Sequence, residues 1–451
     1  MKPIYNISIE MKSSRYHVVK MALLMATALP LTLTAQTVNG KPLQAPQVGH
    51  PRATVPATYQ GKEQGMSYIL SQIENNNREL QAARQMTLAS HYEQRSNNNL
   101  SDPTVSYAHV WDSKDSEITA GELIVSQSFD FPTLYSTRHR MNRSTNAALD
   151  ARAEATRQRI LLEAKLLCID LIALHQEQQL LSARSEQADQ LATLYAKRIE
   201  AGDANRLDLN KVKLEQLNAQ TALRLNATAM QAKLQQLLAL NNQQSLLPGR
   251  PGPLGPTIPS AEAIGLTTFD ETPLPADFLT LFGELLEADP ELRALEYERQ
   301  AAQRQLSVSR QGWLPKLELG YRRNTESGHP LNGVVVGFSI PLFENRSKVK
   351  SARLQSTALT YQREDALSKE QSRLNSLYDE AHQLHTQIKS YQEALQGQQH
   401  LPLLNKALNE GEISLIDYFI EVQLVYDTQS TLIELQSQYE KKVAEILRCR
   451  L

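Results

Sequence analysis

Glu122-Leu-Ile-Val-Ser-Gln-Ser-Phe-Asp-Phe-Pro132 is the stretch of sequence that decides the fold, because the spacing of apolar residues changes at its end. Leu123, Val125 and Phe129 alternate with polar residues, the period of a strand with one apolar face. From Pro132 to Gly202 the chain then has no internal glycine or proline and is dominated by strong helix formers. These roughly 70 residues predict one helix about 100 Å long, which no compact domain accommodates.

The long helix carries an apolar residue at every seventh position, which predicts a coiled-coil seam. The seam consists of Ile160, Leu167, Leu174, Leu181, Ala188 and Tyr195. A return helix is predicted from about residue 207 to 241, with Leu223, Ala227, Met230, Leu234 and Leu237 on one face. Five prolines between Pro248 and Pro259 then exclude a helix and predict an extended linker over about 248–275.

After the linker the same plan starts again at an offset of about 210 residues. The matching positions are Pro103 with Pro315, Pro132 with Pro341, Gly202 with Gly411, and Asp208 with Asp417. The first repeat (36–247) thus has a strand hairpin at about 103–132, a long helix at about 133–201 and the return helix. The second repeat (276–451) has them at about 315–342, 343–408 and 415–448, with a seam of Tyr418, Val425, Leu432, Tyr439 and Ile446.

The second hairpin shows the clearer strand pattern. Its apolar positions are Leu317, Leu319, Tyr321, Val334, Val336, Phe338 and Ile340. Strands of about 8 to 10 residues have the length that crosses an outer membrane when tilted. Trp111 and Trp313 stand at the hairpin borders, where membrane proteins place aromatic girdles.

Four strands cannot close a barrel, and isolated hairpins are marginal in water. The chain is therefore expected to assemble, since three copies would supply about twelve strands and a tube of helices. The predicted fold class is mainly α with a β membrane part: duplicated helix–β-hairpin–helix halves, a long coiled-coil α-barrel, and four strands per protomer of a trimeric 12-stranded β-barrel. Such an assembly is a membrane pore with a tunnel attached.

The N-terminus has the pattern of an export signal. Lys12, Arg15 and Lys20 precede an apolar run that ends at Ala35, so residues 1–35 are predicted to be a signal peptide. The alternative is a membrane anchor, but about 15 apolar residues fall short of the roughly 20 that span a bilayer. Met11 and Met21 both stay open as the true start.

Other function classes find little support. Lys+Arg of 47 against Asp+Glu of 49 leaves a net charge of −2, which argues against a nucleic-acid partner. Cys168 and Cys449 form no metal or redox motif, although a disulfide between them stays open. His382 and His385 are the one helical pair, and a solvated face is the preferred interpretation. Without a P-loop, GxSxG or GxGxxG, we expect no enzyme, no catalytic residue, no cofactor and no metal site.

Two helix-turn signatures complete the pattern, Tyr195-x6-Gly202-x5-Asp208-Leu209 and Leu404-x6-Gly411-x5-Asp417-Tyr418. Together with the duplicated plan and with Phe-Asp-Phe-Pro132 and Phe-Ser-Ile-Pro341, they make the sequence resemble the TolC family of outer-membrane efflux channels. The resemblance implies a homotrimer in outer-membrane lipid with a periplasmic helical tunnel. It also implies two partners, a periplasmic adaptor (membrane fusion) protein and an inner-membrane pump of the resistance-nodulation-division (RND) type.

The short chain, the missing lipid-attachment cysteine and Ser128-Phe-Asp-Phe-Pro-Thr133 look most like the CzcC/CusC-like branch of that family. This branch works with heavy-metal RND pumps, so heavy-metal cations are the implied cargo, with drugs or other small molecules as the alternative.

Two turns are expected at the tip of the tunnel, where Gly202 and Gly411 favour the left-handed helix cap. Asp203 or Asn205, and Ser414, are candidates to cap the helices that follow. The residues expected to contact the adaptor or form the gate are Gly202, Asp203, Arg206, Leu207, Asp208, Gly411, Glu412, Leu415 and Asp417. The two aspartates at 208 and 417 either cap and pair with Lys211, Lys213 or Lys406, or form a gating or cation-attracting ring.

At the other end, the barrel hairpins are expected to end at Pro103, Pro132, Pro315 and Pro341. The residues expected to line the pore are Glu122, Asp130, Lys316, Glu318 and Arg322. A periplasmic coiled-coil adaptor or structural protein is the main alternative, but neither explains two matched strand hairpins. An exported hydrolase is the weakest, since no nucleophile or metal site is apparent.

Overall fold

The computed structural model describes residues 64–111, 119–202, 205–247, 259–270, 272–274, 278–326, 329–341, 343, 345, 347–395 and 400–451. The predicted signal peptide, Asp203 of the first tip turn and residues 248–258 of the predicted linker lie outside the described residues.

The two repeats have the same order of elements. The first contains α1 (Gln64–Asn76), α2 (Arg78–Ser96), β1 (Thr104–Trp111), β2 (Thr119–Phe129), α3 (Pro132–Glu200) and α4 (Arg206–Leu240). The second contains α5 (Phe278–Ala288), α6 (Pro290–Gln311), β3 (Lys316–Glu326), β4 (His329–Ser339), α7 (Lys348–Leu395), α8 (His400–Glu410) and α9 (Leu415–Ile446). Short 3-10 turns lie at Glu262–Ile264 and Arg448–Arg450.

The longest element is α3, whose 69 residues span about 100 Å. It begins at Pro132, where a missing N–H costs nothing because the first turn has no acceptor for it. Of the predicted seam, Ile160, Leu167, Ala188 and Tyr195 are buried, and Leu174 and Leu181 are half-buried. Long as it is, neither α3 nor any other helix among the described residues has an apolar stretch that could cross a bilayer.

The long helix predicted over 343–408 begins later than expected and is divided. Residue 343 is in a turn, and α7 starts only at Lys348 because the hydrogen bonds of Asn345 fix that residue in a turn. The Asn345 amide donates to the Gly312 carbonyl at the end of α6, and its own carbonyl accepts from the Lys348 N–H at 3.2 Å. The last part of the prediction is a separate helix, α8. Its third residue is Pro402, which a helix tolerates only in its first turn.

The two hairpins form one antiparallel sheet in the order β1-β2-β3-β4. Pairing of β2 with β3 joins the repeats, with partners from Phe129 and Leu317 to Ala120 and Glu326. Because directly paired residues share a face, the register places the predicted apolar residues of both hairpins on one face of the sheet. The prediction of two-faced strands is confirmed.

Three clusters of buried apolar side chains hold the helices together. The first packs α1, α3 and α4 around Ile172 and Leu237, and it includes Ile264 and Leu266 from the predicted linker. This part of the linker is therefore packed against the helices. The second cluster joins α5, α7 and α9, and the third joins the ends of α3, α4, α8 and α9.

The two cysteines are free thiols. Cys168 lies in the first cluster, where burial raises the pKa of its thiol to about 12. Cys449 is half-buried near the C-terminal end of α9. The disulfide that the sequence left open is not formed.

Candidate functional site

The first tip turn connects α3 to α4. Gly202 has φ +80°, the left-handed conformation expected of a helix cap. Asn205 is the N-cap of α4, because its side-chain oxygen accepts from the Leu207 N–H at 3.1 Å. Arg206 and Leu207 are exposed at the start of α4, as a contact surface requires.

The second tip turn connects α8 to α9 in the same way. Gly411 has φ +76°, and Ser414 caps α9 by accepting from the Asp417 N–H at 3.2 Å. Glu412 is exposed, but Leu415 is only 7% exposed and belongs to the third cluster. Its side chain is therefore unavailable to a partner, since the helix turns its first apolar residue inward. Ile416, one position further on, is 52% exposed.

Both turns lie at the same end of the helices. The third cluster contains Tyr195 near the end of α3 and Val212 near the start of α4. The same cluster contains Leu408 of α8 and Tyr418 of α9. Two helical hairpins, α3/α4 and α8/α9, thus pack against each other beside their turns, and we call this end the tip.

Asp208 and Asp417 both have local partners. Asp208 forms an ion pair with Lys211 at 3.6 Å, and Asp417 accepts a hydrogen bond from the Ser414 hydroxyl at 2.6 Å. Lys406, the other candidate partner, pairs with Glu410 at 3.8 Å. Within one chain, these contacts are those of caps and surface pairs.

Two buried tyrosines and two half-buried amide side chains form a hydrogen-bonded group next to the tip, which was not predicted from the sequence. Gln187 of α3 donates to the Asn405 side chain of α8 at 3.1 Å and to the Tyr418 hydroxyl of α9. The Tyr426 hydroxyl donates to the Gln187 carbonyl oxygen at 2.8 Å, and the Tyr418 hydroxyl donates to Asn405 at 2.6 Å. We call these four residues the tyrosine junction. Burial raises the pKa of Tyr418 to about 12, so its hydroxyl stays protonated.

An arginine one turn away extends the junction to α4. Arg184 forms an ion pair with Glu215 at 2.7 Å and donates to the Gln423 side chain at 2.6 Å. Its guanidinium also lies over the Tyr426 ring, 5.6 Å from the ring centre. The α3/α4 and α8/α9 hairpins are thus tied together by side chains from all four helices. The sequence did contain one indication of this group, the tyrosines in an otherwise apolar seam, because a buried tyrosine hydroxyl needs a hydrogen-bond partner.

The helices near the tip also expose apolar side chains. On α4 these are Leu207, Leu214, Leu217 and Leu225, and on α9 they are Ile416, Ile420 and Leu424, each 52–66% exposed. Spacings of three, four or seven residues and their sums place each set on one side of its helix. Both helices therefore have a second apolar side beyond the one they bury in the chain.

The sheet has an apolar face made of successive rows across the strands. Starting from the helices, the first three rows combine Phe129, Leu317 and Phe338; Gln127, Leu319 and Val336; and Val105, Val125, Tyr321 and Val334. Most of these side chains are well exposed, up to 80% for Val334. An apolar face of this extent is not stable in water.

The opposite face is polar. It carries Glu122, Lys316, Glu318 and Arg322, four of the predicted pore-lining residues. Arg322 and Glu122 form an ion pair at 2.5 Å. Asp130, the fifth, follows the end of β2 and pairs with Arg138 of α3 at 2.6 Å. It therefore fixes the joint between strand and helix.

The four prolines predicted to end the barrel hairpins all lie at the helical end of the sheet. Pro103 and Pro315 each precede the first residue of a strand, Pro132 opens α3, and Pro341 follows β4. Because proline has no N–H to donate to a neighbouring strand, these positions end the sheet where the chain passes into helices.

Within the described residues, no group of three or more His, Cys, Asp or Glu side chains is arranged to hold a metal ion. His382 is exposed, and His385 packs on the Tyr439 ring with ring centres 5.5 Å apart.

Comparison with protein families gives one relevant match. The family described as "Outer membrane efflux protein" matches residues 281–448, from α5 to the end of α9. No curated protein matches the chain.

Solved structures of outer-membrane proteins have a similar fold. CusC, described as forming a transmembrane channel, is 16% identical with a TM-score of 0.69, covering 87% of this chain and 95% of CusC. VceC of Vibrio cholerae is 14% identical with a TM-score of 0.68, covering 85% and 95%. The MtrE outer-membrane channel of Neisseria gonorrhoeae is 15% identical with a TM-score of 0.64, covering 86% and 89%. At these identities the likeness establishes the fold of the single chain, so the predicted mainly α class, with duplicated helix–β-hairpin–helix halves and four strands per chain, is confirmed.

Proposed function

We propose that this chain, which resembles the TolC family of outer-membrane efflux proteins, is the outer-membrane channel of a tripartite efflux system. The sheet lies in the bacterial outer membrane, and the helices form a tunnel in the periplasm. An efflux channel has no catalytic task, in line with the expectation that the chain is not an enzyme.

One observation carries this proposal. A four-stranded sheet with an apolar face and an ion-paired polar face continues directly into helices about 100 Å long. The apolar face can contact lipid, and the polar face can contact water in a pore. The adaptor or coiled-coil alternatives give no role to such a sheet.

The unit of function is a homotrimer. In the described chain β1 and β4 are the sheet edges, and a sheet in lipid must pair its edges. Edge pairing among three copies gives about twelve strands, enough to close a barrel. The apolar sides of α4 and α9 support the same assembly, because neighbouring copies would cover them.

The tip receives the partners. Arg206, Leu207, Glu412 and Ile416 offer exposed charged and apolar side chains to a periplasmic adaptor, which links the channel to an inner-membrane RND-type pump. The tyrosine junction fixes the α8/α9 hairpin against α3/α4, so it holds the tip in one state. Opening requires that these hydrogen bonds break or exchange.

Heavy-metal cations are the first cargo to test, because the sequence resembles the CzcC/CusC-like branch. Drugs or other small molecules are the alternative cargo. The polar face supplies charged groups of both signs and no fixed metal cluster among the described residues, which suits passage more than binding.

The test is ion conductance of the purified protein in planar lipid bilayers. We expect discrete channels, and we expect Arg322→Gln to raise cation over anion selectivity because it leaves Glu122 unneutralised in the pore. The matched control is Arg323→Gln, one residue away on the opposite face, which should leave selectivity unchanged. Absence of channels, or equal selectivity changes in both variants, would contradict the proposal.

A further inference from the structure

The apolar face of the sheet contains polar and aromatic residues at the end that is farthest from the helices. The fourth row across the strands contains Tyr107, Leu123, Arg323 and Asn332, and a later row contains Trp111. Arg323 is exposed on this face. The Tyr321 hydroxyl donates to the Asn332 side chain at 2.7 Å, so this ring directs its polar end away from the helices.

Arg323 has no anionic neighbour in the described part of the chain. It lies on the interior strand β3, so its neighbours along and across the strands come from its own chain. On the shared face they are Tyr321, Thr325, Leu123, Val125, Gly121, Asn332, Val334 and Pro330. None is acidic, whereas adjacent Arg322, on the polar face, is paired with Glu122 at 2.5 Å.

The position of Arg323 in the membrane follows from the strand length. From the row of Phe129 to the row of Trp111 there are ten residue steps on β2. At about 3.4 Å a step and a tilt of about 40°, this spans about 26 Å, close to the apolar band of an outer membrane. The Arg323 Cα then lies about 10 Å inside the outer boundary, a gap that a long arginine largely bridges by extending toward the headgroups.

A guanidinium at this depth needs a counter-ion, and its neighbours among the described residues do not provide one. Phosphate suits it best, because arginine binds phosphate oxygens through two parallel hydrogen bonds. Tyr107 lies in the row of Arg323, two strands away on β1, and Trp111 lies two rows further toward the outer end. Both rings favour the membrane interface, and both are more than 60% exposed. A soluble anion would not reach a site whose other walls are apolar and covered by lipid.

We propose that Arg323, with Tyr107 and Trp111, binds the phosphate group of an outer-leaflet glycolipid. The inference rests on the proposed function, since it requires that this face of the sheet contacts the outer membrane. If the inference holds, the apolar face binds this class of lipid preferentially at its outer end.

The experiment compares purified full-length wild-type protein with Arg323→Gln, Arg323→Lys and Arg322→Gln. Native mass spectrometry in detergent measures binding of a diphosphorylated glycolipid of the lipid A type, of the same glycolipid without phosphates, and of inorganic phosphate. Wild type and Arg322→Gln should prefer the phosphorylated lipid roughly tenfold or more. Arg323→Gln should lose this preference, and Arg323→Lys should keep part of it because the charge remains.

Undiminished preference in Arg323→Gln would overturn the inference, as would equal binding of both lipids to the wild type. Displacement of the lipid by millimolar inorganic phosphate would also overturn it, because the site would then serve a free anion. Channel conductance in bilayers of neutral phospholipid separates the two proposals. If wild type conducts and Arg323→Gln still prefers the phosphorylated lipid, only the lipid-site proposal is refuted. If wild type does not conduct, the channel proposal is refuted, and the lipid-site proposal, which rests on it, is refuted as well.

Discussion

Replacing Gln187 by leucine should loosen the tip without unfolding the chain. Leucine has a similar size but cannot make the three hydrogen bonds of the glutamine amide, which donates to Asn405 and Tyr418 and accepts from Tyr426. Tyr418 keeps Asn405 as its acceptor at 2.6 Å, whereas Tyr426 loses its only side-chain acceptor in the described residues. A buried hydroxyl left unpaired costs about 1–3 kcal/mol, and Tyr426 is only 4% exposed, so we expect about 2 kcal/mol in total.

This loss falls on the contact between the α3/α4 and α8/α9 hairpins. If these contacts hold the closed state, 2 kcal/mol raises the open-to-closed ratio about 30-fold, since about 1.4 kcal/mol is a factor of ten. The assay is the fraction of time that single channels spend in their high-conductance state. Hydrogen exchange over residues 400–430 should also become faster.

The matched control is Gln179→Leu, about two turns earlier on α3. Gln179 is exposed, and among the described residues its side chain hydrogen-bonds only to His175, at 3.1 Å. Its substitution should leave the open fraction unchanged. The reasoning is refuted if Gln187→Leu is folded and trimeric but opens no more often than Gln179→Leu.

Three further predictions concern stability. Gly411→Ala should cost about 1–2 kcal/mol through its φ of +76° alone, because among the described residues no heavy atom beyond its chain neighbours lies within 4 Å of the added methyl. Gly283→Ala within α5 should be neutral or stabilising, and hydrogen exchange at the tip and thermal unfolding check both variants. Tyr418 has a folded pKa of about 12 against about 10 when unfolded, so its contribution is complete below pH 10 and is lost as pH rises toward 12; urea midpoints should fall over that range less steeply in Tyr418→Phe. Arg448→Met should cost about 3 kcal/mol because Asp289, 4% exposed and 2.6 Å from the guanidinium, keeps two backbone N–H donors but loses this cation. Arg450→Met, which removes an exposed ion pair with Glu284, should cost less than about 1 kcal/mol in thermal unfolding.

Local patterns account for what could be predicted. Strand alternation, heptad seams and the two tip glycines are properties of short windows, and each has its expected place in the fold. Leu317 and Phe338, for example, lie on the same face as their alternation indicated.

The parts that were not predicted depend on contacts between distant residues. Gln187 and Tyr418 are 231 positions apart, and no spacing rule links them. The inward position of Leu415 depends on how two hairpins pack, and the late start of α7 depends on one hydrogen bond from Asn345 to the end of α6. These contacts also determine which residues of the tip remain available to a partner.

The most direct test of the channel is to fractionate cell membranes and size the detergent-extracted protein with and without heating. We predict recovery from the outer membrane as a trimer that dissociates to the monomer on heating. Recovery as a soluble periplasmic monomer would contradict the account and favour the adaptor or coiled-coil alternative.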